Sequence, residues 1–169
     1  MDILEFAMKM ELDGKAFYDK HARRTSDNDL KRIFKLLSEE EERHYQFFRK
    51  MQDGKHEEAV AQINSSSDTL KQVNNIFINM IKDNSEKIFG EDELTAWTEA
   101  LHIEEKAESF YREKAKDETD IEKQKLLVAI ADEEQNHVHM IEGVLTYLKF
   151  PEAFADSAQF KNFQSLEGH

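Results

Sequence analysis

The feature that most constrains this 169-residue chain is a Glu-x-x-His motif that occurs twice inside apolar stripes, at an offset of 93 residues. In the later copy, Leu127, Ile130, Glu134, His137 and Ile141 share one helical line; in the earlier copy, Ile33, Phe34, Leu37, Glu41, His44 and Phe48 do. Each motif sets a carboxylate and an imidazole where a core is expected. An unpaired buried carboxylate is costly, and it finds a partner, a proton or a metal. Glu and His three apart on a helix present both heads on one face, a spacing that suits two ligands of one metal.

The repeat extends beyond the motif. Glu11 lies thirty residues before Glu41, and Glu104 lies thirty before Glu134. Each is followed seven residues later by a tyrosine, Tyr18 or Tyr111. Ala7/Ala100, Phe17/Phe110, Ala22/Ala115 and Glu40/Glu133 match at the same offset. Two copies of helix-Glu followed by helix-Glu-x-x-His predict a duplicated helical hairpin. A third Glu-x-x-His, Glu99/His102, fails this test, because its counterparts are Phe6 and Lys9. It also lies about 140° round the helix from Glu104, at ~100° per residue. It is read as surface, as are His21, His56 and His139.

Composition agrees with a helical domain. Hydrophobic residues make up 39% and charged residues 35%, with one Pro and five Gly, so strand and turn punctuation is scarce. The length suits a single domain, 1–166, with a sizeable core. A net charge of −13 disfavours nucleic acid or an anionic membrane as partner. The absence of Cys excludes disulfides, thiolate-bound iron and a Cys nucleophile, and it suits a cytoplasmic location. No signal peptide or membrane span is read in the sequence. Glu167-Gly168-His169 reads as the remnant of a purification tag.

In chain order, the pattern predicts helices over about 2–24, 29–51, 92–116 and 121–148, a crossover over 52–91 and a tail over 149–166. Asp2 can cap the first helix. Gly14, inside that helix, is unfavourable by roughly 1 kcal/mol against Ala; close approach of another backbone or of a ligand would explain it, as would simple tolerance. The run Glu39-Glu40-Glu41-Glu42 separates by phase: only Glu41 aligns with Leu37 and His44. Glu40 is read as a surface residue, with a partner role for His44 as the alternative. The crossover is expected to hold one short amphipathic helix, with Leu70, Val73, Phe77, Met80 and Ile81 packing on the bundle or forming a dimer contact. Phe150-Pro151 stops the last helix, and Phe154, Phe160 and Phe163 in the tail are expected to dock on the bundle or on a second subunit. Tyr18 and Tyr111 read equally as packing residues or as partners of the polar site, and Trp97 reads as core.

Glu, Glu-x-x-His, Glu, Glu-x-x-His in that order is the ligand set of dinuclear carboxylate centres in ferritin-like bundles. Glu41 and Glu134 can bridge two cations, Glu11 and Glu104 can cap one each, and His44 and His137 add a nitrogen apiece. Four carboxylates then neutralise two divalent ions in a low-dielectric core. Mixed oxygen and nitrogen ligands suit iron or manganese, and zinc can occupy such a site.

Over residues 2–148 the chain resembles the rubrerythrin branch of the ferritin-like superfamily. The resemblance rests on Glu11, Glu41/His44, Glu104, Glu134/His137, Tyr18 and Tyr111. It implies an all-α four-helix bundle with one long crossover. It also implies a centre of two iron ions that reduces hydrogen peroxide or oxygen, as in defence against oxidative stress. Two departures stand out. The rubredoxin-type Cys₄ domain of rubrerythrins proper has no counterpart here, so electrons would come from a separate donor protein. The family's further Glu, three residues after the third-helix ligand, is replaced by Ala107, and Glu108 points about 100° away from that position. The alternatives are a ferroxidase or iron-binding protein without peroxidase turnover, and a non-enzymatic, metal-stabilised interaction bundle. A homodimer is the expected assembly, through the crossover helix and the Phe-rich tail.

Overall fold

The computed structural model describes residues 2–64, 68–83 and 88–151. Among them are α1 (Ile3–Arg24), α2 (Asn28–Gln52), α3 (His56–Asn64), α4 (Thr69–Asp83), α5 (Glu91–Asp117) and α6 (Ile121–Lys149), with no strand. The main contacts are α1 with α2 and α5 with α6. Two hairpins therefore form the bundle, and α3 and α4 lie in the crossover between them. This is the expected all-α, ferritin-like architecture, with each long helix within a residue or so of its expected limits.

Local chemistry sets the helix ends. The Asp2 carboxylate accepts from the Glu5 amide at 2.8 Å. Asp27 accepts from Asp29 and Leu30, each at 2.9 Å, and Asp120 accepts from Glu122 at 2.9 Å and Lys123 at 3.2 Å. Each supplies an oxygen to amides that the first helical turn leaves without partners. At the end of α2, Gly54 takes φ of +76°, the left-handed region that glycine enters without steric cost. The Lys55 amide then reaches back to the Lys50 carbonyl at 2.9 Å and the Gly54 amide to Met51 at 3.1 Å, which closes the helix.

The crossover corrects one expectation. It holds two helices rather than one. In α3, only Ala59 and Ile63 are buried, four residues apart, too weak an apolar stripe to register as a helix in sequence. The apolar side of α4 packs into the bundle core through Val73, Ile76, Phe77 and Met80. That face is thus spent within the chain rather than left for a second copy. The expected docking of Phe154, Phe160 and Phe163, the Ser65-Ser66-Ser67 loop and the tag reading of 167–169 lie outside the described residues.

Two apolar clusters divide the bundle along its length. One contains Tyr18, Phe34, Leu37, Trp97 and Ile141; the other contains Ala7, Phe48, Tyr111, Leu127 and Ile130. Every long helix runs from one cluster to the other, and between them each carries a buried acid: Glu11, Glu41, Glu104 or Glu134. The polar layer is sealed at both ends by packed side chains. In the first cluster Phe34 stacks on Trp97, with centroids 4.4 Å apart and planes at 18°. Trp97 is core, as expected, and fully buried.

Trp97→Ala removes that stack and should cost about 3–5 kcal/mol in urea unfolding, whereas the exposed Val60→Ala should stay within ~0.5 kcal/mol. A cost below ~1 kcal/mol at Trp97 would contradict the packing role described.

Candidate metal centre

All six residues expected at the site are brought together. Glu11, Glu41, His44, Glu104 and Glu134 are at most 3% exposed and His137 6%. Ligand atoms of Glu41, Glu104, Glu134 and His137 lie within 4.8 Å of one another, and so do those of Glu11, His44 and Glu134. Glu134 is common to both groups. The Nδ1 of His44 is 2.8 Å from Glu134 Oε1 and 3.6 Å from Glu11 Oε2. The Nδ1 of His137 is 3.6 Å from Glu104 Oε2 and 3.8 Å from Glu134 Oε2.

The hairpins are wired to each other through their tyrosines. The Tyr18 hydroxyl of α1 donates to Glu104 Oε1 of α5 at 2.7 Å, and Tyr111 of α5 donates to Glu11 Oε1 of α1 at 2.5 Å. Each tyrosine thus fixes the acid of the other repeat and leaves that acid's second oxygen free to face the cluster. Both readings open for Tyr18 and Tyr111 are met: their rings are packed in the two apolar clusters, and their hydroxyls are satisfied by acids of the site.

Glu40 corrects the sequence reading. It is 3% exposed, not a surface residue. Its Oε2 lies 3.7 Å from His137 Nε2 and 3.9 Å from His44 Nε2. Its repeat mate Glu133 sits 2.9 Å from His44 Nε2. Each acid therefore faces the imidazole of the opposite hairpin. Arg43 bonds Glu133 and also reaches Glu40 at 3.3 Å and the Gln62 carbonyl of α3 at 2.8 Å. A carboxylate at Nε2 turns Nδ1 toward the cluster, the arrangement that orients a metal-binding imidazole. One-helix phase could not show this, because α6 and α3 close over the flank of α2. The match of Glu40 with Glu133 across the repeat was the available signal.

Gly14 also has its reason. A Cβ there would meet Glu41 Oε2 at 2.9 Å and its Cδ at 3.1 Å, so the close neighbour is a side chain of the site itself. The repeat mate of Gly14 is Ala107, 5% exposed. Glu108 faces away from the cluster and pairs with Arg112 at 2.8 Å. His102 and His139 are exposed, and Glu99/His102 takes no part in the site.

The electrostatics call for a cation. Burial, then the charges of Glu11 and Glu104, push Glu41 well above the carboxylate range. Burial, then Glu104 and Glu11, push Glu134 up to about 8. Burial also opposes ionisation of Glu11 and Glu104, but in each the neighbouring acid (Glu41 or Glu134) and histidine (His44 or His137) outweigh it and hold the group low. Burial opposes charge on both histidines too. Glu134 and Glu11 overcome it at His44, and Glu104 and Glu134 do so at His137, which raises both well above the usual imidazole value. Protons therefore stand in for positive charge. Glu11 Oε2, Glu41 Oε1, Glu104 Oε2, both oxygens of Glu134 and the Nδ1 atoms of both histidines lack a well-formed hydrogen bond, and the closest approach among them is the 2.8 Å between His44 Nδ1 and Glu134 Oε1. Buried polar atoms are rarely left so. Five oxygens and two nitrogens converging on one layer fit a pair of divalent ions.

The sign of the pH dependence follows. In the metal-free protein Glu134 holds its proton from 4.5 up to about 8, so its contribution to stability is lost as pH rises through that window. The raised histidines add loss above 6.5. Metal-free protein should therefore melt at lower temperature as pH rises from about 5 to about 8, while Fe(II) or Mn(II) should raise the melting temperature more at the higher pH, because binding displaces those protons. Scanning calorimetry with and without metal checks both trends. A metal-free melting temperature that climbs across this window would contradict the protonation pattern.

Comparison with known proteins agrees with this geometry. The model of the rubrerythrin family matches residues 2–145. Searches of curated proteins and of solved structures found no match. A family match that spans all four long helices almost to the end of α6, and with them every residue of the cluster, means that this chain belongs to the rubrerythrin family.

Proposed function

We propose that this protein is a di-iron carboxylate oxidoreductase that reduces hydrogen peroxide or oxygen with electrons from a separate donor protein. The observation that carries the proposal is the pair of ligand groups sharing Glu134, with Glu11 Oε2, Glu41 Oε1 and Glu104 Oε2 buried and without a hydrogen-bond partner. Glu11, His44 and Glu134 would hold one ion; Glu41, Glu104, Glu134 and His137 would hold the other. Iron is the proposed metal, and manganese or zinc would suit the same donors. Two Fe(II) ions would supply the two electrons that, with two protons, convert hydrogen peroxide to water. The protein residues do the rest. Tyr18 and Tyr111 orient Glu104 and Glu11 and keep hydroxyl protons at the edge of the layer. Glu133 and Glu40 orient the imidazoles. The apolar clusters above and below exclude bulk water, which strengthens every charge interaction between them.

A second reading is iron oxidation without peroxidase turnover. It is favoured by Ala107, which stands where the family resemblance places a further Glu. Among the described residues no helix is long and apolar enough to cross a membrane. A cytoplasmic location is part of the proposal, and a chain without Cys suits it. The proposed assembly is a homodimer, and exposed Ile88, Ile121 and Phe150 offer apolar surface for it.

Anaerobic reconstitution should give about two Fe(II) per chain, and Glu41→Ala/Glu134→Ala should abolish stoichiometric uptake. A peroxide pulse should then oxidise the iron rapidly, with turnover when reductant is supplied. Oxidation without turnover would favour the second reading. Absence of stoichiometric iron in the unaltered protein would overturn both.

A further inference from the structure

The walls around the cluster are unequal. Along the bundle it is closed by the two apolar clusters with Tyr18 and Tyr111. On the α2/α6 flank it is closed by Glu40, Glu133 and Arg43, and Arg43 is tied to the α3 backbone. On the α1/α5 flank there is instead a cleft of about 270 Å³, whose wall includes Phe6, Met10 and Gly14 from α1 and Ile103 from α5, with exposed Lys9 and Lys106. Gly14 belongs to both places. It lines the cleft, and its Cα carries no side chain toward Glu41, whose carboxylate lies 2.9 Å from where a Cβ would be. Glu41 Oε1 is buried and has no hydrogen-bond partner. None of the six cluster residues lines this cleft or the two larger ones by Lys20 and Glu99 and by Arg32 and Asn79; what links the α1/α5 cleft to the cluster is Gly14, packed against Glu41.

The repeat breaks its own symmetry at this point. Met10 pairs with Ile103 across the 93-residue offset, so both repeats contribute to the cleft wall at one register. One step further, Gly14 pairs with Ala107, so the side chain is missing on the α1 side only. A glycine in a helix interior is unfavourable by roughly 1 kcal/mol against Ala, and the space it leaves is taken by the Glu41 carboxylate, which brings a cluster acid up to the floor of the cleft.

We propose that a small uncharged oxidant, hydrogen peroxide or oxygen, reaches the carboxylate–histidine cluster through the α1/α5 cleft and past Gly14. The inference rests on the metal-centre reading above and adds the route to it. The apolar wall formed by Phe6, Met10 and Ile103 admits a neutral molecule, whereas an anion would have to shed its water along it. The cleft exceeds by several-fold the ~30 Å³ that a water molecule occupies, so it has room for the oxidant, and the group between it and the rest of the cluster is the Glu41 carboxylate packed on Gly14.

The test uses nitric oxide, a neutral diatomic that binds Fe(II) without turnover, mixed by stopped flow with the anaerobic Fe(II)-loaded protein. Ile103→Trp fills the cleft from α5, and Lys106→Trp covers it from an exposed position should the first variant fold poorly. Each should take up iron as the unaltered protein does, yet bind nitric oxide about tenfold more slowly, because entry then waits on a side-chain movement. Val60→Trp, on exposed α3, should leave the rate unchanged. Equal rates in the plugged and unaltered proteins, or equal slowing by Val60→Trp, would overturn the route while leaving the metal centre standing. Failure of the unaltered protein to take up iron would overturn the metal reading and this route with it.

Discussion

Four carboxylates held in one dry layer repel one another, and everything else in this molecule is arranged around that repulsion. At most 3% of Glu11, Glu41, Glu104 or Glu134 is exposed, so water cannot screen them. Without metal the layer is neutralised by protons on Glu41, Glu134 and the two histidines. With metal, two divalent ions would replace those protons. A buried charge set of this kind is weak as a stabilising device, since a well-packed apolar layer would do as well or better. Its persistence through all four long helices is an argument for function rather than for fold.

The repeat supplies the solution to the positioning problem. Each hairpin helps to hold the other's ligands in place. Tyr18 of the first fixes Glu104 of the second, and Tyr111 of the second fixes Glu11 of the first. Glu133 backs His44 and Glu40 faces His137 in the same crossed sense. The site is therefore complete only when the hairpins are docked. Two departures from symmetry then differentiate the flanks. Arg43, whose repeat mate is Asn136, closes the α2/α6 side, and Gly14, whose mate is Ala107, thins the α1/α5 side.

Much of this was legible in the sequence, because helical phase and a fixed offset are both periodic signals. Glu41 and Glu134 could be separated from the acids beside them by the line they share with Leu37 and Ile130. Glu99/His102 could be set aside by its lack of a partner across the repeat. Phase on one helix says nothing about a flank that another helix covers, so Glu40 was misplaced on the surface. Gly14 could be flagged as costly, but its neighbour is Glu41, a side chain from α2 that lies 27 residues away in sequence. Helix α3 was missed because it buries little: Ala59 and Ile63 make too faint a stripe against its charged and amide residues. The tyrosine wiring was only half visible, since spacing showed that Tyr18 and Tyr111 correspond but not that each serves the other repeat.

Whether this layer holds two metal ions is decided by anomalous diffraction from crystals grown with Fe(II) or Mn(II). Two anomalous peaks are expected between the apolar clusters, one beside Glu11 and His44, the other beside Glu104 and His137, with Glu134 in contact with both. No peak in that layer, or peaks confined to the acidic surface, would contradict a dinuclear site.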